Sequence, residues 1–443
     1  MTERKRLSDT DESSAKYNTT KKIKLIQTTL PVGTSKRPIC KYGASCYRKH
    51  PDHLRDYQHP KTNQQEKEQE EDDDEDFSTT SVSEPSTSTK EASPAKQITA
   101  SSNSTISLME LAELSEEKLL RHLYQMKFPS DLHEFWNFCS DLKKTNPREV
   151  LTNLLNLELV GPFEILDGAL NTCKTLPNIH LHYRYYYDTP EFMTVIRTLD
   201  KRSQFHIGYY RDSPDELPVF LASNDSSVNN HFKICGDNIF AAVHSYARHH
   251  LKSSDKSDLK TFVSDLESYA KKHKFSLDET TPTITARKKK VNCTLLNSLG
   301  MVVPCENDIG YRPVPFTKGD KHPKLLYFSN IFCLLILDQF KKVCDKFCND
   351  ASEGQRQKAE DDLQHVITCI QFANDECDYG EGLEFGLNLF LYGSSKLHSR
   401  ILTLLPLAYK LLHRDLYGQI ITDHLASGRS NLIEDLNEIT KNS

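Results

Sequence analysis

The sequence predicts an α+β fold, a helical subdomain followed by a domain of helices packed on a modest sheet, with a long polar segment ahead of both. Three observations predict it. Apolar residues recur with helical period from residue 107 and again from 236 onward. Between these stretches lie short runs rich in β-branched and aromatic residues, separated by Pro, Asp and Asn, as strands and turns require. Residues 1–106 instead hold few aromatics and abundant Ser, Thr, Lys, Asp and Glu, too little apolar surface to offset the entropy of ordering.

The 443 residues give room for two or three domains at roughly 100–200 residues each. Residues 1–35 read as a disordered basic tail, 36–60 as a small metal-dependent unit, and 61–106 as a disordered linker, first acidic and then Ser/Thr-rich. The first helix is predicted over SLMELAELSEEKLLRHLYQM, 107–126, where Ser107 and Glu110 have capping-box spacing. A second covers 130–144, with Phe135, Trp136, Phe138 and Leu142 on one broad face. Pro147 opens a third over 147–155, at the position where its missing N–H matters least. Together these form a helical subdomain at 107–176. Strands are predicted in IHLHYRYYYDTP, MTVIRTL, SQFHIGYYRD and ELPVFLAS, which makes 178–223 an antiparallel or mixed sheet. Helices return at 236–252, 256–273, 323–349, 353–373 and 395–426 and complete an α+β domain at 177–438.

The net charge of −6 averages two opposed blocks. Residues 66–76 (EKEQEEDDDED) carry nine acids against one lysine, whereas 1–60 carry thirteen Lys/Arg against six Asp/Glu. A basic arm followed by an acidic block suits contact with polyanions and with basic proteins, or a self-neutralising solvated tail. No apolar run approaches the roughly 18 residues that span a bilayer, so no membrane association is expected. The N-terminus lacks the apolar middle of a secretory signal. Twelve scattered cysteines do not form a disulfide framework, which points to a reducing compartment. Basic clusters at Arg4-Lys5-Arg6, Lys21-Lys22-Ile23-Lys24 and Arg287-Lys288-Lys289-Lys290 jointly favour the nucleus.

The segment KRPICKYGASCYRKHPDHLRDYQHP, 36–60, offers Cys40, Cys46, His53 and His59 as a closed tetrahedral set for structural Zn²⁺. Such a site can fold a segment too short for a core of its own. His50 is an extra histidine that could compete as a ligand. Tyr42-Gly43, Cys46-Tyr47-Arg48 and His59-Pro60 resemble the poly(ADP-ribose)-binding zinc finger family. That resemblance implies Tyr42 and Tyr47 as faces for adenine and Arg48 as a fork for the pyrophosphate.

Five carboxylates fall within FANDECDYGEGLE, 372–384, beside two glycines and just after an apolar helical run. Asp375 and Glu376 are neighbours and so point in different directions on a helix or a strand. A shared-proton dyad is therefore not expected. One carboxylate can do chemistry while its neighbours meet a basic partner, or the helix ends in a solvated acidic loop. Upstream, Pro313 and Pro315 pin an extended backbone next to Arg312, which could clamp a carboxylate or anchor an interface. Cys344 and Cys348 read as ordinary packing, and His244, Tyr246, His249 and His250 as a half-exposed helix face.

From about 107 to the C-terminus the chain resembles the histone PARylation factor family, accessory proteins of the DNA-damage-activated poly(ADP-ribose) polymerases. The resemblance rests on LGMVVPCENDIGYRPVP at 299–315, FANDECDYGEGLEFGLNLFLYGS at 372–394 and LLPLAYKLLHRDLYGQIITDHLA at 404–426. It implies that Glu376 is a catalytic base in an active site completed jointly with the polymerase, for ADP-ribosylation of histone serines. It also implies that Asp375, Tyr311, Arg312, Phe372, Cys377 and Asp378 support docking, that NAD⁺ is bound by the polymerase alone, and that the chain is no autonomous enzyme. The expected partners are the polymerase catalytic domain, histones and poly(ADP-ribose), and the expected place is chromatin at DNA damage in the nucleus. A monomer is expected. Ser395 stands where the resemblance leads one to expect a histidine, and 341–362 is longer than the family pattern, as an inserted loop or a helix extension. The alternative function is a non-catalytic reader of poly(ADP-ribose) that adapts other proteins to chromatin.

Overall fold

The computed structural model describes residues 110–429, apart from 112, 172–175, 253–256, 308, 316–329 and 350, together with 57, 58 and 436; of 330–336 it describes the backbone. The finger residues Cys40, Tyr42, Cys46, Tyr47, Arg48, His53 and His59, the cap Ser107 and the first two basic clusters lie outside the described residues. The chain divides into units Met1–Pro85 and Ser86–Ser443, and the elements below belong to the second.

The fold is α+β. Helices α1 (Glu116–Tyr124) and α2 (Ser130–Leu142), a single turn α3 (Thr152–Leu155) and a short α4 (Pro162–Leu166) come first. Strand β1 (Leu157–Leu159) lies between α3 and α4 and is followed by β2 (Phe192–Thr198), β3 (Phe205–Tyr210), β4 (Phe220–Asp225) and β5 (Lys233–Gly236). The five strands pair antiparallel in chain order, with Ile196 opposite Ile207 and Tyr209 opposite Leu221. Helices α5 (Ile239–Leu251), α6 (Ser257–His273) and α7 (Pro282–Lys288) follow, then an array of five: α8 (Asn330–Cys348), α9 (Glu353–Asp375), α10 (Tyr379–Tyr392), α11 (His398–Leu411) and α12 (Asp415–Ala426).

One face of the sheet shares its core with α2, α5 and α6: Phe135, Phe138, Ile207, Phe240, Phe262 and Leu266 are all buried there. The face of α2 is narrower than the sequence suggested. Leu132, Phe135, Phe138 and Cys139 are buried, whereas Leu142 is exposed. Asp131 turns inward with them because it has work to do: its carboxylate accepts from Tyr209 Oη and from the Ile239 N–H at the start of α5, both at 2.7 Å. Burial pushes that carboxyl up to about 6 even so. Phe192, Tyr210, Phe220 and Phe232 form a smaller cluster with Ile284 of α7 and Leu299.

Arg287 does not share the exposure of the lysines that follow it. It is buried, forks onto Asp212 at 2.8 and 2.8 Å, and lies over the rings of Tyr210 and Phe220. Of the third basic cluster only Lys288, Lys289 and Lys290 face solvent, so it is an arginine of the core followed by a three-lysine surface run.

Two further readings differ. IHLHYRYYYDTP forms no strand but a 3-10 turn (Ile179–Leu181) and tight turns. Side chains there compete for the backbone: Asp188 accepts from the Tyr185 N–H at 2.9 Å, and Arg184 donates to the carbonyls of His180 and Thr189 at 2.7 and 2.9 Å. The second is DYGEGLEFGLNLFLY, which falls between the predicted helices 353–373 and 395–426 and folds as α10. Residues 380–391 of α10 are buried all round, as in a helix at the centre of a core. A Cβ at Gly386 would lie 2.6 Å from Leu405, so its absence is what lets α11 pack this close.

Segment 341–362 holds the end of one helix and the start of the next: α8 runs to Cys348, α9 begins at Glu353, and Cys344 and Cys348 are buried in a core with Phe340, Leu363 and Phe385. Ser352 and Gln355 form a reciprocal capping box at the start of α9. Ser352→Ala is expected to lower stability by ~1 kcal/mol, read as a lower urea midpoint with unchanged slope. The array meets the sheet through Tyr409 Oη, which donates to Glu191 at 2.8 Å, and Tyr417 Oη, which donates to the Arg211 carbonyl at 3.0 Å.

Candidate functional site

Helix α9 ends in a turn that decides where the acidic motif points. The Asp378 N–H returns to the Ala373 carbonyl at 2.8 Å and the Cys377 N–H to Asn374 at 3.1 Å, the paired bonds of a Schellman motif. Cys377 takes the left-handed position with φ +65°, a place that glycine fills more easily. The reversal leaves Asp375 exposed, puts Glu376 at the helix C-cap and sends Asp378 inward to start α10.

Residues 309–315 come to this turn through a backbone contact. The Gly380 N–H donates to the Gly310 carbonyl at 2.9 Å, and the Gly310 N–H donates to Asp378 Oδ1 at 2.8 Å. Gly310 has φ +116°, and a Cβ there would sit 2.1 Å from the Pro304 carbonyl oxygen. Only glycine fits that crossing. The next two residues thereby reach the acids: Tyr311 Oη donates to Glu384 Oε2 at 3.0 Å, and Arg312 enters the middle of the cluster.

Arg312 is shared. Its Nη1 donates to Glu376 Oε2 at 2.6 Å and lies 3.7 Å from Asp378 Oδ2, while its Nε donates to Glu381 Oε2 at 2.7 Å. The carboxylates differ in burial, with 26% of the Glu376 side chain exposed against 1% for Glu381. Burial works against the Arg312 charge, but Glu381, Glu376 and Asp378 outweigh it and hold its pKa up. One cation cannot neutralise four acids. Burial pushes Glu381 up to about 7, against the pull of Arg312, and Glu384 up to about 8. Burial, then Glu384, pushes Tyr311 well above its ordinary range. The inner part of the cluster thus holds protons near neutrality.

The fold accordingly brings together Tyr311, Arg312, Glu376 and Asp378 from the sequence-predicted set. Phe372 lies one helical turn before Glu376 and is 61% exposed. The picture of a solvated acidic loop does not hold, since Asp378, Glu381 and Glu384 are buried. Glu381 and Glu384 were missed as members of the site. Their spacing of three in an apolar run marks one helix face, but no helix was predicted over this stretch. Ser395 is exposed, in a 3-10 turn before α11. His244, Tyr246 and His250 are half-buried on α5 and His249 is exposed. Among the described residues no group of three or more His, Cys, Asp or Glu could hold a metal ion, and no helix is long and apolar enough to cross a membrane.

The family model described as Histone PARylation factor 1 matches residues 115–328 and 334–428, which include every element of this site. The chain belongs to that family. Its relatives include Histone PARylation factor 1 of Mus musculus, 41% identical over 326 residues, which are 72% of this chain and 88% of the relative. The Danio rerio protein of the same name is 37% identical over 329 residues, 73% and 88% of the two chains. A second family model, described as the PBZ domain, matches residues 37–62. The histone PARylation factor match begins downstream of this segment, so the finger and the acidic cluster belong to two separate modules of one chain.

Proposed function

We propose that this histone PARylation factor docks on the catalytic domain of a DNA-damage-activated poly(ADP-ribose) polymerase and completes a joint site for ADP-ribosylation of histone serines, with Glu376 as the base. The observation that carries the reading is the position of Glu376. Of the acids around Arg312 it is the most exposed, on the same helix face as the bare ring of Phe372. An exposed aromatic beside a charged cluster is the make-up of an interface anchor. A serine hydroxyl is a poor nucleophile until a positioned base takes its proton. In the joint site the serine Oγ forms a bond to C1″ of the nicotinamide riboside, the bond to nicotinamide breaks, and the Oγ proton passes to Glu376. The polymerase holds the NAD⁺. Asp375, exposed next to Glu376, faces the partner or the acceptor peptide. Tyr311, Cys377 and Asp378 shape and support this surface.

The finger adds a tether. Two thiolates and two imidazoles from Cys40, Cys46, His53 and His59 suit tetrahedral Zn²⁺, and Tyr42, Tyr47 and Arg48 offer stacking faces and a phosphate fork to poly(ADP-ribose). Binding polymer already made would raise the local concentration of the factor at the polymerase. The nucleus, at damaged chromatin, is the compartment this requires. Cys40→Ser is expected to abolish zinc loading and retention on immobilised poly(ADP-ribose), measured by metal content and pull-down.

The whole reading is tested by reconstitution with polymerase, nicked DNA, NAD⁺ and a histone peptide. Product linkages are scored with hydroxylamine, which cleaves carboxylate esters and leaves serine ethers. Resistant product should need the factor, and the factor alone with NAD⁺ should show no turnover. Resistant product without the factor would overturn the reading.

A further inference from the structure

Arg312 divides its guanidinium between two carboxylates that live in different surroundings. Glu376 faces the surface, whereas Glu381 is sealed off, 2.7 Å from Arg312 Nε through Oε2. The other oxygen, Glu381 Oε1, is buried with no hydrogen-bond partner among the described residues. An oxygen left dry and unpaired is far less costly on a neutral acid than on an anion. Nothing in the proposed chemistry uses Glu381, yet it grips the same cation as the base.

We propose that Glu381 is a positioning residue for the base: through the shared guanidinium it sets how tightly Arg312 holds Glu376, and so how readily Glu376 accepts the serine proton. The inference rests on the reading of Glu376 as that base. A guanidinium favours the charged form of a carboxylate that it touches and weakens it as a proton acceptor. When Glu381 is neutral, Arg312 gives its charge to Glu376 and Asp378. When Glu381 ionises, it draws on the same fork and adds a negative charge nearby, and Glu376 becomes the better acceptor.

The other groups around Glu381 fit this role. From residues 309–315 come Arg312, which stays charged, and Tyr311, which stays protonated. From α9 come Glu376 and Cys369, whose thiol burial pushes up. Asp378 faces it from the turn, and Glu384, one helical turn along α10, is pushed up to about 8 and stays neutral through the lower part of the range. Glu381 itself titrates at about 7, so it loses its proton as pH rises through neutrality. The proton-transfer step should therefore quicken with rising pH across that range.

The test compares full-length wild-type factor with Glu381→Gln in the reconstituted reaction, at saturating factor, from pH 6 to 9. Gln can still accept from Arg312 and keeps the shape of the neutral acid, so folding is expected to survive. The ratio of wild-type to variant single-turnover rates cancels the pH dependence of the polymerase. It is expected to be near one at pH 6 and to rise about three- to tenfold by pH 8.5, since a neighbouring charge moves a carboxylate by about one to three units and general-base rates follow part of that. A ratio that stays constant with pH marks a merely structural residue and overturns the proposal. A second readout is the ¹³C carboxyl resonance of Glu376 in the free factor. It should show an inflection at the titration of Glu381 that Glu381→Gln removes, and its persistence in the variant also overturns the proposal. Glu376→Gln serves as the separate arm: if it retains wild-type serine product, the base reading has failed.

Discussion

Glu376→Gln is expected to cut hydroxylamine-resistant product on a histone peptide by roughly 100-fold or more, the usual range for losing a general base, while docking on the polymerase survives. The geometry makes this substitution clean. The Gln carbonyl can still accept from Arg312 Nη1, the position is at the helix C-cap, and the side chain reaches solvent. Fold and surface should therefore change little, and the loss should appear in the rate at saturation with no comparable loss of affinity for the polymerase. Binding is measured alongside by calorimetry or pull-down. Wild-type output from Glu376→Gln would end the catalytic reading and leave the chain a reader that adapts other proteins to poly(ADP-ribose).

Arg312→Ala is expected to destabilise the fold by about 2–3 kcal/mol at pH 9 and by clearly less at pH 6. Removing one member of a buried pair leaves its partners uncompensated, which costs about 3–5 kcal/mol where burial is complete. Here Arg312 is 35% exposed, so the figure is discounted toward the surface value. The pH dependence follows from the acids left behind. Burial already raises the folded-state pKa of Glu381 to about 7, and losing Arg312 raises it further. A raised carboxyl contributes stability that is fully present below its unfolded value of 4.5 and is lost as pH rises through the folded value. At pH 6 Glu381 keeps its proton and the missing cation is felt by Glu376 and Asp378 alone, whereas at pH 9 a further charge must be buried or a proton held against the solution. Urea midpoints of wild type and Arg312→Ala at the two pH values check this. An equal loss at both would mean that Glu381 is ionised throughout.

Much of the fold can be read from neighbouring residues. The helical period of SDLHEFWNFCSDL and the β-branched, aromatic runs at 193–199 and 203–212 lie where the structure has α2, β2 and β3. Misreadings arose where side chains took over work that usually belongs to the backbone or to packing. Asp188 and Arg184 hold 179–189 in turns despite its tyrosines, and Gly382 and Gly386 of α10 serve as contact surfaces for neighbouring helices. Arg287, read as one member of a basic cluster, is drawn into the core by Asp212, seventy-five residues away.

The sequence by itself determined the fold class, the placing of a Cys2His2 set in a polar arm, and, as two separate stretches, a pinned Arg312 and an acidic motif around Glu376. These are local statements, made by period, spacing and composition within a few residues of chain. Which acid meets water and which is sealed was decided only by the tertiary structure. Arg312 reaches Glu376 and Glu381 across 64 and 69 residues of chain, because two glycines allow two backbones to touch at Gly310 and Gly380. Proton affinity depends on burial and on charges a few ångströms away. Such neighbours are set by packing, so five carboxylates that look alike in ten residues of sequence end up with different chemistry.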